Sequence, residues 1–282
     1  MKALWDVPAP AKLNLFLHVV GRRPDGMHLL QSAFMLIDWC DTLHFEWRPD
    51  GKLSREDLTE PLPPDDLVLK AARALQAAAG IELGAHIAIE KRIPAQAGMG
   101  GGSSDAATCL LALNRLWGLD FSAARLQRIG LALGADVPFF LGGHNAWVEG
   151  VGERLQPVQL PAARFAVVKP AQGLETARIF SDDQLKRDSE AAIISGFAAN
   201  PFAFGRNDLQ PVAERLCPGI TQALEWLGAQ GLNGRMTGSG SAVFAVIEEK
   251  AMALQNAPAG WQARICGNLD VHPLVGWAPS DD

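Results

Sequence analysis

The chain has 282 residues, 48% of them hydrophobic, which exceeds one ordinary domain and is enough for a sizeable core. Its net charge is −6, with acidic and basic residues mixed, no long basic run and no aromatic–basic interleaving, so a nucleic-acid partner is not expected. Any phosphate site must be local, built from backbone N–H groups and a few Lys or Arg side chains, and the absence of tyrosine removes phenols as bases or stacking platforms.

Residues 11–20 read as a strand in which Leu13, Leu15 and Leu17 alternate with Asn14, Phe16 and His18. Lys2 precedes this apolar run, but Asp6 and Lys12 interrupt the approach. Gly21-Arg22-Arg23-Pro24-Asp25-Gly26 then stands where a signal peptide would have its small-residue cleavage site, so a turn is expected. Further strands are expected at 28–37 and 42–48, then a proline-rich loop at 60–64. Asp65 or Asp66 caps a helix running to Ala79 and ended by Gly80, and residues 85–91 alternate as a strand. Next come Pro94-Ala95-Gln96-Ala97-Gly98-Met99-Gly100-Gly101-Gly102-Ser103-Ser104-Asp105 and an Ala- and Leu-rich helix to Trp117, with Ser-Ser-Asp read as its N-cap. A second helix spans 122–133 and ends at Gly134, and residues 146–158 complete the first half.

The second half opens with a strand at 164–168, and its polar segment 181–190 reads as a surface loop or helix edge. Helices are expected at 207–216 and 219–230, then a second glycine segment at 234–241 and a strand at 242–247. Pro157 and Pro161 flank the boundary, dividing 1–158 from 159–282. Strands and helices mixed in both halves give an α+β class rather than a regular βαβ repeat. No run of about 18 apolar residues exists to cross a membrane. Cys40, Cys109, Cys217 and Cys266 form no CxxC pair, so zinc is not expected and reduced thiols in a cytoplasmic protein are.

Four glycines in five positions let the backbone close around a ligand and turn successive N–H groups inward as an anion nest, with a helix N-terminus behind them. Ser103 and Ser104 add hydroxyls for phosphate oxygens or a metal. A Walker A loop would need Gly-Lys-Ser/Thr, but Ser103 follows Gly102. A dinucleotide fingerprint would need glycine where Ser103 stands. A triphosphate such as ATP fits the segment better than either, and a ligand-free tight turn is the competing reading.

The segment 94–104 resembles the phosphate loop of the GHMP kinase superfamily, the small-molecule kinases of galactose, homoserine, mevalonate and phosphomevalonate. Pro10-Ala11-Lys12-Leu13-Asn14-Leu15 and Gly234-Arg235-Met236-Thr237-Gly238-Ser239-Gly240-Ser241 are similar to the family's amino- and carboxy-terminal motifs, in the family's order. The resemblance implies two α+β domains with the active site in the cleft between them, an N-terminal ATP-binding domain at 1–158 and a C-terminal domain at 159–282. Two further segments, Gly21-Arg22-Arg23-Pro24-Asp25-Gly26-Met27-His28 and Gly134-Ala135-Asp136-Val137-Pro138-Phe139-Phe140, match a branch of the family acting on a cytidine-diphospho sugar alcohol. That branch implies ATP-dependent phosphorylation of a tertiary hydroxyl in the non-mevalonate route to isoprenoids, with Mg²⁺ accompanying ATP. No nucleic acid or membrane is involved, and the chain is expected as a monomer or weak homodimer. A GHMP kinase with a mevalonate- or homoserine-type acceptor, and a nucleotide-binding regulator without catalysis, stay as alternatives; the presence of both Lys12 and Asp136 counts against the second.

The resemblance assigns the proton acceptor to Asp136 and its partner to Lys12, and ATP to residues 94–104. It points to Asn14, His28, Thr176, Phe180, Gly238 and Ser239, with Asp136, for the acceptor. His28 reads the cytosine edge, Phe180 stacks on the base, and Asn14 holds acceptor hydroxyls or orients Lys12. Met27 stands where the family often has a tyrosine packed on the pyrimidine. Asp66 stands where some members have an asparagine near adenine, and it offers only acceptors. The metal ligands are not assigned.

Overall fold

A computed structural model describes residues 1–248 and 252–280. Two long antiparallel strands, β1 (Ala3–Arg22) and β2 (His28–Arg48), form the spine of the first sheet. The expected break between 37 and 42 is instead part of one strand. The polar residues there are accommodated by a register shift, in which Pro10 pairs with Cys40 and Ala11 with Ile37, so two residues of β2 bulge from the ladder. Asp41, a poor strand residue, is fully buried there and accepts from the backbone N–H groups of Arg92 and Ile93, at 2.5 and 2.7 Å.

Strand β3 (Leu53–Asp57) was not legible in the pattern; it pairs parallel with β4 (Gly84–Glu90), which pairs with β2. Helix α1 (Leu67–Ala79) lies between them in sequence, capped by Asp66, whose carboxylate accepts from Leu69 N at 3.1 Å, and ended by Gly80 in the left-handed region. Helix α2 (Gly101–Trp117) starts inside the glycine run, with Gly100 as its N-cap, so Asp105 lies within the helix rather than at its cap. From Ser104 to Trp117 nearly every residue of α2 is buried. It packs on β1, β2 and α1, and on α3 (Ala123–Leu133) and α4 (Val137–Gly142). Small residues such as Ala106, Ala107 and Ala112 allow this approach on several sides. Strands β5 (Ala146–Gly150) and β6 (Arg154–Pro157) finish the sheet in the order β3-β4-β2-β5-β6, with β1 on β2.

The second sheet has the order β10-β7-β9-β8, from β7 (Arg164–Lys169), β8 (Arg235–Met236), β9 (Val243–Ile247) and β10 (Gln262–Gly267). Four helices accompany it: α5 (Thr176–Phe180), α6 (Ile194–Ala199), α7 (Gln210–Leu216) and α8 (Pro218–Gly228). The polar segment 181–190 carries neither helix nor strand. One core lies between the first sheet and α1–α4, a second between the sheets around Phe16, Phe165 and Phe244, and a third between the second sheet and α7 and α8.

The sheets part between Pro157 and Arg164, but the chain does not stay on the second side. Residues 268–280 return to the first, where Leu269 N donates to Leu36 O, His272 N to Gly143 O and Ala123 N to Pro279 O. Among the described residues no helix is long and apolar enough to cross a membrane. All four cysteines are free thiols.

Candidate active site

Between the two halves lies a cleft of about 890 Å³, lined by the phosphate-loop segment, by Lys12, Asn14 and Asp136, and by Thr176, Phe180, Gly238 and Ser239. The loop leaves β4 and enters α2 under tight constraint. Gly98 and Gly100 both have positive φ, 72° and 71°. A Cβ on Gly98 would lie 2.3 Å from Thr237 O, and one on Gly238 would lie 2.6 Å from Gly98 O, so the two glycine motifs meet backbone to backbone. Lys12 N donates to Met99 O, Ser241 N to Gln96 O and Ala242 N to Ala97 O. Strand β1 and the second glycine motif thus hold the loop from opposite sides, with the N-terminus of a deeply buried helix behind it.

The two serines separate in role. Ser103 is half-buried and faces the cleft. Ser104 is fully buried, with no partner for its hydroxyl among the described residues and no place in the cleft lining. Successive helical positions turn by about 100°, which carries Ser104 onto the core face of α2.

Lys12 reaches the same cleft from β1. Its Nζ lies 3.6 Å from Asp136 Oδ2, donates to Asn14 Oδ1 and sits 4.4 Å from the centre of the Phe34 ring. Asn14 is fixed in turn: its backbone N donates to Thr237 Oγ1 and its side-chain Nδ2 to Ser32 Oγ, both at 2.9 Å. Burial lowers the Lys12 pKa below its ordinary value, and Asp136 pulls in the opposite direction by charge and hydrogen bonding. Asp136 occupies the N-cap position of α4 but makes no side-chain capping bond, which leaves its carboxylate facing Lys12 and the cleft.

On the acceptor side Thr176 Oγ1 and Ser239 Oγ are 2.7 Å apart. His28 and Phe180 meet directly, ring centres 4.9 Å apart and planes 33° from parallel. Arg187 Nε donates to His28 Nε2 at 3.0 Å, and burial, then Arg187 and Arg22, lower the His28 pKa below the usual value. Neither Met27 nor His28 lines the cleft: His28 is half-buried behind Phe180, and Met27 is 51% exposed, its backbone N closing the turn on Asp25 Oδ1. Asp66, which lines the cleft, is committed to capping α1 and to Arg55, 2.7 Å away.

A buried cluster under the loop escaped the sequence reading. Lys91 Nζ bridges Asp41 and Asp105, the second at 2.5 Å, with side chains 9%, 0% and 3% exposed. Burial pushes the Asp105 carboxyl well above the usual carboxylate range despite Lys91. Burial also opposes the charge on Lys91, but Asp105 and Asp41 outweigh it and raise the Lys91 pKa. The cluster ties β2, the start of the loop and α2 together. Its only sequence signal was Lys91-Arg92 just before Ile93-Pro94.

Two family models match the chain: GHMP kinases N terminal domain over residues 66–144 and GHMP kinases C terminal over residues 191–260. A curated 4-diphosphocytidyl-2-C-methyl-D-erythritol kinase of Albidiferax ferrireducens is 72% identical over 281 residues, covering 100% of this chain and 98% of the relative. Another of that name, from Variovorax paradoxus, is 67% identical, covering 99% and 100%. A crystal structure of a 4-(cytidine 5'-diphospho)-2C-methyl-D-erythritol kinase superposes with a TM-score of 0.78 at 34% identity, over 93% of this chain and 98% of that one. A homoserine kinase from Cytophaga hutchinsonii shares the fold at 16% identity, with a TM-score of 0.70 over 96% of each chain.

Proposed function

This chain belongs to the GHMP kinase family, and we propose that it transfers the γ-phosphoryl group of ATP to the 2-hydroxyl of 4-diphosphocytidyl-2-C-methyl-D-erythritol, a step in non-mevalonate isoprenoid precursor biosynthesis. The observation that carries the reading is the Lys12–Asp136 pair, 3.6 Å apart and opening on the same cleft as the glycine loop, in a chain whose full-length relatives bear that kinase's name.

Phosphoryl transfer asks a protein for alignment, charge neutralisation and an acceptor for the hydroxyl proton. The loop's N–H groups and the α2 N-terminus hold the phosphates. The acceptor oxygen forms a bond to the γ-phosphorus as the bond to the ADP oxygen breaks, and the hydroxyl proton passes to Asp136. Lys12, steered by Asn14, pairs with the Asp136 carboxylate and offsets charge on the transferring group. Mg²⁺ bound with ATP would supply charge neutralisation at the phosphate oxygens. Among the described residues no group of three His, Cys, Asp or Glu could hold a metal, so the donors that suit this hard cation are the phosphates, water and the cleft-facing Ser103 hydroxyl.

Residues 1–158 act in this reading as the ATP-binding domain and 159–282 as its C-terminal partner, in a cytoplasmic monomer or weak homodimer. The test is a phosphorylation screen with ATP and Mg²⁺, offering the cytidine-diphospho alcohol, mevalonate and homoserine. Phosphate should pass to the first alone. Preferential transfer to either other alcohol, or ATP consumption that no acceptor raises, sinks the assignment.

A further inference from the structure

We infer that Arg187 is a positioning residue for substrate choice: it fixes the tautomer of His28 so that the ring offers a donor to the base, selecting cytosine over uracil. The inference rests on the activity proposed above. A guanidinium has donors and no acceptor, so the bond from Arg187 Nε to His28 Nε2, 3.0 Å long, requires a lone pair on Nε2. In the neutral ring the proton is then on Nδ1, an atom with no hydrogen-bond partner among the described residues. Burial and the charges of Arg187 and Arg22 keep the ring in its neutral form.

Arg187 is itself locked. Its Nη2 donates to Phe180 O and Asp182 O, at 3.0 and 2.9 Å, and its Nη1 to Leu185 O at 3.1 Å. One side chain therefore holds the histidine ring and the backbone of the aromatic residue against which that ring lies. Phe180 lines the cleft beside Thr176, and His28, just outside that lining, lies directly against the Phe180 ring. Cytosine presents a bare acceptor at ring N3, whereas uracil presents N–H there. A fixed N–H on His28 complements the first and leaves two donors facing each other with the second.

Ring ¹⁵N spectra of the full-length wild-type protein, with His28 assigned by His28→Gln, test the tautomer without any substrate. The Nδ1–H form is expected; an Nε2–H or doubly protonated ring at neutral pH overturns the inference. In Arg187→Gln the tautomers should mix, KM for the cytidine substrate should rise about ten-fold, the weight of one hydrogen bond, and KM for ATP should hold. The preference for the cytidine over the uridine analogue should fall with it. An unchanged tautomer and preference overturn the inference. Asparagine places its amide nitrogen near the Nδ1 position and glutamine near Nε2, so His28→Asn should keep more of the cytidine preference than His28→Gln; the reverse order also overturns it. Wild-type protein that phosphorylates neither analogue counts against the proposed activity, and the spectrum then decides the tautomer on its own.

Discussion

The two sides of the cleft that the proposed reaction gives to ATP and to the acceptor are built on different plans. The phosphate loop is held by main-chain bonds from β1 and from the second glycine motif, and it runs into a helix buried from Ser104 to Trp117. The acceptor side rests on α5, five residues long, and on the coil after it, where Thr176 and Arg178 are exposed and Arg187 supplies much of the bonding. In the proposed reaction a group common to all nucleoside triphosphates falls to the backbone, which needs rigidity. The group that distinguishes one acceptor from another is recognised by side chains on short elements, which substitution can retune without disturbing the loop.

The sharpest break in this division comes at its junction. Asp136→Asn and Lys12→Ala should each lower kcat about 10²- to 10⁴-fold, the usual weight of a positioned proton acceptor and its partner. ATP binding, measured by calorimetry, should persist. Turnover near wild type for either variant would falsify the roles given to the pair.

On the ATP side, Lys91→Met leaves Asp41 and Asp105 buried without their cation. It should destabilise the fold by about 3–5 kcal/mol in denaturant unfolding and raise KM for ATP. Adding Asp105→Asn should recover part of that loss, because it removes one of the two stranded carboxylates. Equal loss in the single and double variants would show that the cluster does not behave as one unit.

The tail that rejoins the ATP side gives a pH test. His272 is fully buried, its Nδ1 accepts from Leu274 N, and burial lowers its pKa from 6.5 to about 4. A pKa depressed by folding means that the unfolded chain binds the proton first. The stability contribution is therefore complete above about pH 6.5 and is lost as pH falls towards 4, by roughly 3 kcal/mol from this one group. Thermal unfolding across that window should show the fall, and His272→Gln should flatten it; a slope that the variant leaves intact assigns the loss to other groups.

The smallest effect is expected at Met27. As an exposed turn residue outside the cleft lining, Met27→Ala should change stability by less than about 0.5 kcal/mol and barely alter KM for the cytidine substrate. A large rise in that KM would return Met27 to the base-binding surface.

Local chemistry made much of this molecule legible in its sequence. Asp66 and Ser122 cap their helices through bonds within three residues, and Gly98 and Gly100 announce the loop by being glycines. The Lys12 and Asp136 roles came from motif resemblance, and the fold then brings the two within 3.6 Å. What stayed hidden is what tertiary structure assembles. Asp41, Lys91 and Asp105 come from a strand, a loop and a helix, so no spacing announces them. Arg187 belongs to a polar stretch that looked like plain surface until its bonds to His28 and Phe180 were seen. β2 looked like two strands because its polar interruption is satisfied by distant partners rather than by a turn.

The return of residues 268–280 to the first sheet has a consequence for how the molecule is made. A ribosome delivers the phosphate loop early, but the bond from Leu269 to Leu36 and the buried Leu274 come from the opposite end of the chain. The first half must wait for residues 268–280 before its core closes, with an incomplete apolar surface exposed during synthesis. Assembly order thereby links the two halves: the first cannot be finished until the second has been made.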